Sequence, residues 1–265
     1  MPGSYRNEPV EKIDNAMSDF YSDPRPTSET SAWLIFSPRR VSLVKKGRED
    51  EHSPKSVKRT KNGERRETVD QMILDQPFYT QDTISVARHL LGCFFVHEEL
   101  EGTTIGRIVE TEAYLIDDPA SHAFRGKTTR NAVIFGPAGN AYVYFIYGMY
   151  YCVNVVTGTE GVGEAVLLRA LEPIAGIELM QQRRHTSNLW QLCSGPGKLT
   201  QAMHITPQLN GSSLLAGPLK IASADHFGGS LSTEEIIAVP RVGITRGKDA
   251  PLRFYLQGNR FISRK

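Results

Sequence analysis

The chain is poor in cysteine, in long apolar stretches and in net charge. Its 265 residues include three cysteines, Cys93, Cys152 and Cys193, which are too few and too widely spaced for a disulfide framework or a zinc knuckle. No apolar run approaches the roughly 18 residues of a membrane-spanning helix, so no membrane partner is expected. The first residues show no basic segment followed by an apolar one, which argues against a secretory signal. These absences predict an intracellular protein in a reducing compartment.

The small net charge of +2 hides an uneven distribution. Residues 39–66 carry eleven Lys and Arg against four Asp and Glu, a local net charge of +7, so the remainder is acidic by five charges. Residues 1–67 are polar and show no sustained helix or strand periodicity, which predicts a disordered extension. Its basic part suits a non-specific DNA tether, a nuclear-import signal or an ordinary charged tail. A nucleic-acid surface on residues 68–265 must therefore be a local patch.

Residues 68–265 are predicted to form one mixed α+β domain, because strands outnumber helices and do not alternate with them regularly. Asp82 can cap a short helix that ends at Gly92, and a second helix is expected from Pro173 to Arg184. A third is expected to start at Ser194, with Ser194 as its cap and a proline in its first turn. The expected strands lie in the segments CFFVHEEL, TTIGRIVETEAY, YVYFIY, YYCVNVV and EAVLLRAL and in the closing segments VPRVGITRG and PLRFYLQGNRFIS.

Five tyrosines fall within the fourteen residues AYVYFIYGMYYCVN, from Ala141 to Asn154. The segment reads as a hairpin that turns at Gly148-Met149, so Tyr147, Met149, Tyr150 and Tyr151 crowd its turn. Tyrosine-rich strands usually serve packing. An apolar wedge on a hairpin tip also suits insertion between stacked base pairs, and flat rings suit the stacking of a flipped base. The segment therefore fits either packing or nucleic-acid recognition.

The segment VETEAY, Val109 to Tyr114, brings two glutamates and a tyrosine onto one side of an extended strand. One of two neighbouring carboxylates in an apolar, aromatic setting has a raised pKa and can act as a base near neutral pH. A salt-bridged or solvent-facing pair fits the same spacing. Arg169 lies in an apolar strand, where burial would require a charged partner. Its role is either to pair with a carboxylate and position water or to form a structural ion pair.

A long loop, residues 116–139, contains His122 in the sequence ASHAFRGKTTRN. A loop of this length in a compact domain is more often functional than idle. His122 can stack on a base, and the cations Arg125, Lys127 and Arg130 can hold phosphates, although a solvated loop histidine is equally compatible. The segment SGPGKL places Lys198 beside free helix amides, which also suits a phosphate. No cluster of metal ligands with a recognised spacing is found.

Taken together, these segments closely resemble the alkyladenine (3-methyladenine) DNA glycosylase family. The resemblance covers roughly residues 69–263, in family order. It rests on the segments VETEAY, SHAFRGKTTRN, YVYFIYGMYYCVN, AVLLRALEP, CSGPGKL, PRVGI and PLRFY. It implies one domain with a curved, largely antiparallel sheet, flanking helices and a protruding aromatic β-hairpin. It further implies a monomer that acts on double-stranded DNA carrying damaged purines, without a metal or organic cofactor.

The resemblance also implies roles for individual residues. Glu112 corresponds to the general base that activates the attacking water. Arg169 and a backbone carbonyl at or near residue 152 correspond to the groups that hold this water. Residues that match the walls of the base pocket are Tyr114, His122, Tyr144 and Asn154, the last of which disfavours the exocyclic amino group of guanine. Tyr147 matches the residue that fills the vacated stack, with Met149 and Tyr150 beside it in the minor groove. The expected reaction is hydrolysis of the N-glycosidic bond of alkylated or deaminated purines by a monofunctional glycosylase, which leaves an abasic site.

Two other functions use the same residues. A non-catalytic nucleic-acid-binding domain needs the aromatic hairpin and the basic loop but not Glu112. A carbohydrate hydrolase could use Glu110 and Glu112, but two carboxylates on one strand face flank the same side of a scissile bond and not its opposite sides.

Overall fold

Two short strands make up the described part of the N-terminal extension. The computed structural model describes residues 32–37, 40–45, 73–146, 148–223 and 235–264, and the chain divides into units Met1–Met72 and Ile73–Lys265. Strand β1 (Ala32–Ser37) pairs antiparallel with strand β2 (Arg40–Lys45). This is regular structure that the sequence pattern did not predict. The predicted disorder of the rest of the extension falls on residues outside the described ranges, and its boundary near residue 67 stays a prediction.

The second unit is built on a curved antiparallel sheet of eight strands. The order along the sheet is β5-β6-β7-β4-β10-β9, and β3 pairs with both β4 and β8. The strands are β3 (Phe94–Glu99), β4 (Gly102–Tyr114), β5 (Ala141–Ile146), β6 (Tyr150–Thr157), β7 (Glu164–Ala175), β8 (Leu219–Ala222), β9 (Ile236–Val239) and β10 (Arg253–Leu256). The prediction of a mixed α+β domain with a largely antiparallel sheet is thus confirmed. β4 and β7, which carry the predicted catalytic residues, lie next to each other near its middle.

Short helices flank the sheet. They are α1 (Gln76–Tyr79), α2 (Thr83–His89), α3 (Ile177–Arg184), α4 (Leu189–Leu192) and α5 (Pro196–Ala202), with 3-10 turns at Ala132–Phe135 and Pro207–Leu209. The predicted cap of α2 is confirmed, since the Asp82 carboxylate accepts from the amides of Ile84 and Ser85 at 3.1 Å. None of these helices is long and apolar enough to cross a membrane.

Two predicted helix starts are wrong. α3 begins at Ile177 and not at Pro173, because β7 continues to Ala175 and Gly176, with a φ of 69°, turns the chain into the helix. A left-handed backbone at this corner suits glycine. The residue that precedes α5 as its cap is Gly195 and not Ser194. Ser194 instead forms a β-bridge with Ala170.

The main core lies between the sheet and the helices. β4 and β7 contribute fully buried apolar side chains to it, among them Ile108, Leu168 and Leu171. A smaller apolar cluster lies beneath the long loop and joins it to β5, β6 and β7; its members are Ala123, Ile134, Phe135, Tyr142, Val156 and Ala165. This second cluster fixes the loop that carries His122 against the strands that carry the tyrosines.

Candidate active site

Both glutamates of β4 are buried at the centre of the sheet. Glu110 and Glu112 have no solvent-exposed surface, and Arg169 on the neighbouring strand β7 is 7% exposed. The Arg169 Nε atom lies 3.2 Å from Oε1 of Glu110, and Nη1 lies 3.3 Å from Oε1 of Glu112. The three side chains thus form one buried charged cluster, in which the cation bridges the two carboxylates.

Irregular strand pairing produces this arrangement. In the register of β4 with β7, Val109 is one extra residue on β4 and Arg169 is one extra residue on β7. A bulge re-aims the side chain of the extra residue and is common beside active sites. Because the two bulges lie on opposite strands, they offset each other, and the register is the same on either side of the pair. Arg169 is therefore aimed at both glutamates without disturbing the rest of the sheet.

Glu112 is held by three different groups. Its Oε1 accepts from the amide of Val242 at 2.8 Å and faces Arg169, and its Oε2 accepts from the Tyr114 hydroxyl at 2.9 Å. A carboxylate offers about four acceptor directions. Within the described part of the chain, one direction on Oε2 has no protein donor.

Burial raises the pKa of the Glu112 carboxyl above its ordinary value, and the nearby Glu110 acts in the same direction. The positive charge of Arg169 and the hydrogen bonds from Val242 and Tyr114 oppose this shift without cancelling it. The carboxylate is consequently a stronger base than an exposed glutamate. This is the property that the activation of water near neutral pH requires.

A pocket of about 420 Å³ opens in front of this cluster. Such a volume lies within the usual range of small-molecule sites, roughly 300–1,000 Å³. Its lining comprises Tyr114, Ala120, His122, Ile134, Tyr142, Tyr144, Ile146, Cys152, Asn154, Ala165, Leu167, Arg169, Pro196, Val242, Gly243 and Ile244. Glu112 is not in the lining, but all three of its partners are. The carboxylate therefore lies directly behind the pocket wall.

Aromatic rings form one side of the pocket. The centroids of His122 and Tyr144 lie 4.4 Å apart with their planes steeply inclined, and Tyr142 and Tyr144 lie 5.2 Å apart. The Nδ1 atom of His122 lies 3.0 Å from the Tyr142 hydroxyl. The Asn154 amide nitrogen donates to the Tyr142 carbonyl at 3.2 Å. All four predicted pocket residues, Tyr114, His122, Tyr144 and Asn154, are brought together, and Tyr142 joins them.

The ionisable groups of this wall favour neutral forms. Burial against the tyrosines and the charge of Arg130 lower the pKa of His122, although part of this residue stays exposed. Burial raises the pKa of Tyr142 to about 12 and that of Tyr144 well above its ordinary value. At neutral pH the wall is thus uncharged. The rings of this wall therefore add no charge repulsion toward a cationic base, and their faces attract it.

Two side chains next to the turn between β5 and β6 are exposed. Met149 is 65% and Tyr150 is 43% exposed, although both are large and apolar in part. β5 and β6 pair in register, with Ile146 opposite Tyr150. Tyr147, the predicted intercalating residue, lies outside the described residues. Its role and the protrusion of the hairpin stay predictions.

The predicted phosphate-binding cations differ in their surroundings. Arg125 and Lys127 are exposed on the long loop, and Arg130, also exposed, donates to the Phe145 carbonyl at 3.2 Å. Arg130 thereby connects the loop to the end of β5. Lys198 donates to the Gln191 side chain at 2.5 Å, and burial together with the charge of Arg184 lowers its pKa.

Sequence reasoning missed two parts of the site. The first is the backbone amide of Val242, which donates to Glu112. A backbone carbonyl at or near residue 152 was predicted to hold the attacking water, and Cys152 lies in the pocket wall. The buried pair Arg241–Asp118 was also missed; Arg241 Nη2 donates to Oδ1 of Asp118 at 2.9 Å, and its guanidinium lies 4.7 Å from the centre of the Tyr114 ring. The closing strand predicted over VPRVGITRG is wrong, because β9 ends at Val239 and Pro240, which has no amide hydrogen to donate, follows it. No local pattern predicted the contact of this segment with β4.

Comparisons with known proteins agree on one family. A family model described as methylpurine-DNA glycosylase matches residues 77–260. The chain is 60% identical over 194 residues to a protein of Methanoculleus marisnigri named "Putative 3-methyladenine DNA glycosylase", and the match covers 73% of this chain and 100% of that relative. Relatives with the same printed name occur in Carboxydothermus hydrogenoformans, at 50% identity over 73% of this chain and 100% of the relative, and in Chlorobaculum tepidum, at 49% over 72% and 90%.

Proposed function

The chain belongs to the methylpurine-DNA glycosylase family and is thus a hydrolase of N-glycosyl bonds, and from this premise we propose how it acts. It flips an alkylated or deaminated purine out of duplex DNA into the pocket beside Tyr144 and hydrolyses its N-glycosidic bond with a water activated by Glu112. The observation that carries this proposal is the buried Glu112 carboxylate, whose three partners Tyr114, Arg169 and Val242 all line the pocket.

The reaction needs one water and no further reactant. The Glu112 carboxylate takes a proton from the water as its oxygen attacks C1′ of the deoxyribose. The bond from C1′ to the base nitrogen breaks, and the electron pair leaves with the base. Arg169, which lies 3.3 Å from the carboxylate, orients it and stabilises its negative charge in the buried site. The products are a free base and an abasic site in an uncut strand.

The nature of the base follows from the pocket wall. Alkylation at a ring nitrogen makes a purine cationic and therefore a good leaving group. Tyr114, His122 and Tyr144 offer uncharged rings, and an aromatic face attracts a cationic ring by about 0.5–2 kcal/mol. Alkylation also weakens base pairing, so the lesion is extruded at a lower free-energy cost than a normal base. Asn154 is placed in the lining, where it can disfavour the exocyclic amino group of guanine.

DNA contacts are assigned to the surface around the pocket. Tyr147 fills the space left by the flipped base, and the exposed Met149 and Tyr150 lie beside it in the minor groove. Phosphates are held by the exposed Arg125 and Lys127 and by Arg130 and Lys198. The protein works as a monomer on double-stranded DNA inside the cell and uses no metal or organic cofactor.

The carbohydrate-hydrolase alternative finds no support in the geometry. Glu110 and Glu112 lie on the same strand, β4, and both contact the guanidinium of Arg169. The two carboxylates therefore cannot flank a bound sugar from opposite sides. The remaining alternative is a DNA-binding domain without catalysis.

Base release from defined duplexes separates these functions. Duplexes that carry 7-methylguanine, hypoxanthine or 1,N6-ethenoadenine are incubated with excess protein, and free base and strand integrity are measured. We expect free base and uncut abasic strands. Strand cleavage with a covalent adduct trapped by borohydride would instead indicate a lysine nucleophile. Tight binding without release from any duplex would indicate a non-catalytic binding domain.

A further inference from the structure

Glu110 and Ser263 hold the guanidinium of Arg169 from the side that faces away from the pocket. Arg169 Nε donates to Oε1 of Glu110 at 3.2 Å, and Nη2 donates to the Ser263 hydroxyl at 3.2 Å. The third nitrogen, Nη1, faces Glu112 at 3.3 Å. Each nitrogen of the planar guanidinium therefore has its own partner. A planar group fixed at two nitrogens has no freedom to turn the third away from Glu112.

Glu110 is itself fixed more firmly than an ordinary ion-pair partner. The Ser263 amide donates to its Oε2 at 2.5 Å, and the Ser263 hydroxyl donates to its Oε1 at 2.9 Å. Arg253 on β10 adds a second cation 3.5 Å from Oε1 and donates to the Arg264 carbonyl at 3.1 Å. The C-terminal segment thus closes over Glu110 and shields it from solvent.

The charges within this cluster balance. Two carboxylates, Glu110 and Glu112, face two guanidiniums, Arg169 and Arg253, and all four side chains are nearly or fully buried. Among the described residues, two further titratable groups near Glu112 are Tyr114 on β4 and Cys152 on β6, both neutral near pH 7 because burial raises their pKa values. The ion pair of Arg241 with Asp118 packs on the Tyr114 ring and adds no net charge. Without the charge of Glu110, Glu112 would be the carboxylate that alone faces Arg169 within the described residues.

We propose that Glu110, held by Ser263, is a positioning residue for base excision, which fixes Arg169 and moderates its attraction for Glu112 so that Glu112 stays basic. This inference rests on the proposed role of Glu112 as the base. A merely structural ion pair would stabilise the fold without affecting the basicity of Glu112. The two roles therefore differ in the pH dependence of the reaction.

The test is the single-turnover rate of base release from a 7-methylguanine duplex as a function of pH, for the full chain and for Glu110→Gln. The substitution keeps the shape and removes the charge. We expect the plateau rate to fall on the order of 100-fold, since misplacement of a catalytic group has effects of this size. We also expect the acidic limb of the pH profile, where the rate falls as Glu112 becomes protonated, to move to lower pH, because Arg169 then lowers the pKa of Glu112 further. The dissociation constant for DNA should stay unchanged.

The pair Ser263→Ala and Ser263→Thr provides a second, milder test. Alanine removes the hydroxyl that accepts from Arg169, whereas threonine keeps it. We expect Ser263→Ala to lower the plateau rate on the order of tenfold without moving the acidic limb, since the charge of Glu110 remains, and Ser263→Thr to restore the rate. If Glu110→Gln does not fold, this pair decides the question.

The proposal is overturned if Glu110→Gln folds and the acidic limb of its pH profile lies at the same pH as in the wild type. It is also overturned if Ser263→Ala keeps the wild-type plateau rate. Glu112→Gln, measured in parallel, reports on the proposed function alone. If Glu112→Gln releases base at the wild-type rate, the assignment of the base is wrong, whatever the Glu110 variants do. If it is inactive and the Glu110 variants behave like wild type, only the positioning role fails.

Discussion

The Tyr114 hydroxyl donates to the Glu112 carboxylate at 2.9 Å, so a residue of the pocket wall and the proposed base form one hydrogen-bonded unit. A donor to the ionised form lowers the pKa of a carboxyl, and burial of Glu112 acts against it. We therefore expect Tyr114→Phe, which keeps the ring, to raise the pKa of Glu112. The acidic limb of the single-turnover pH profile moves to higher pH, because the base is protonated over a wider range. Tyr255→Phe, which changes a half-buried tyrosine outside the pocket, is the matched control; an unmoved limb in Tyr114→Phe would contradict the coupling.

The Tyr144 ring is expected to contribute stacking on the flipped base. Tyr144→Ala removes the ring, and loss of one base–aromatic stack weakens binding by about 1–3 kcal/mol. Tyr144→Phe keeps the ring and loses only the hydroxyl, so it should retain most of the activity. The measurement is the single-turnover rate on a duplex with one 7-methylguanine. Equal losses in both variants would show that the hydroxyl matters and the ring does not.

Asn154 is expected to set the discrimination between purines. Its amide donates to the Tyr142 carbonyl from within the lining of the pocket. Asn154→Ala vacates this space, and we expect release of 7-methylguanine relative to hypoxanthine to rise by about tenfold, a size typical of pocket-shape discrimination. Competition between the two duplexes in one reaction measures the ratio. An unchanged ratio would remove Asn154 from the specificity assignment.

The buried pair Arg241–Asp118 is expected to stabilise the site as well as the fold. Arg241 also donates to the Ala113 carbonyl and lies over the Tyr114 ring. Arg241→Met leaves Asp118 buried without its cation, and we expect a loss of about 3–5 kcal/mol in the free energy of unfolding. Chemical denaturation measures it. Glu101→Gln, which weakens an exposed ion pair with Arg183, serves as the control and should change stability by less than about 1 kcal/mol.

Local sequence patterns predicted strands β3 to β7 and β10, because their apolar residues and turns are local signals, but they missed β8 and placed the strand that corresponds to β9 too late, over VPRVGITRG. The cap at Asp82 and the strands that carry Glu112 and Arg169 were found in this way. Gly176 illustrates the limit, since apolar content alone does not distinguish a strand that runs to Ala175 from an early start of helix α3. The turn at this glycine marked the true boundary.

The site was predictable only where the residues lie on one strand. Glu110, Glu112 and Tyr114 share β4, and their common side followed from extended geometry. Val242 and Ser263 reach the glutamates from segments more than a hundred residues away, and such contacts depend on the order of strands in the sheet. The bulge at Arg169 depends on the register of β4 with β7, which no pattern within either strand specifies.

The most direct test of the proposed role of Glu112 as the base is base release by Glu112→Gln. Glutamine keeps the size of the side chain and removes the basic group, so DNA binding should persist while the single-turnover rate on 7-methylguanine falls roughly 100- to 10,000-fold. Glu172→Gln, which changes a largely buried carboxylate on β7 outside the pocket, is the matched control and should act like wild type. Loss of base release by Glu112→Gln, with the dissociation constant for DNA retained, is the result we predict. Release at the wild-type rate by this variant would contradict the assignment of Glu112 as the base.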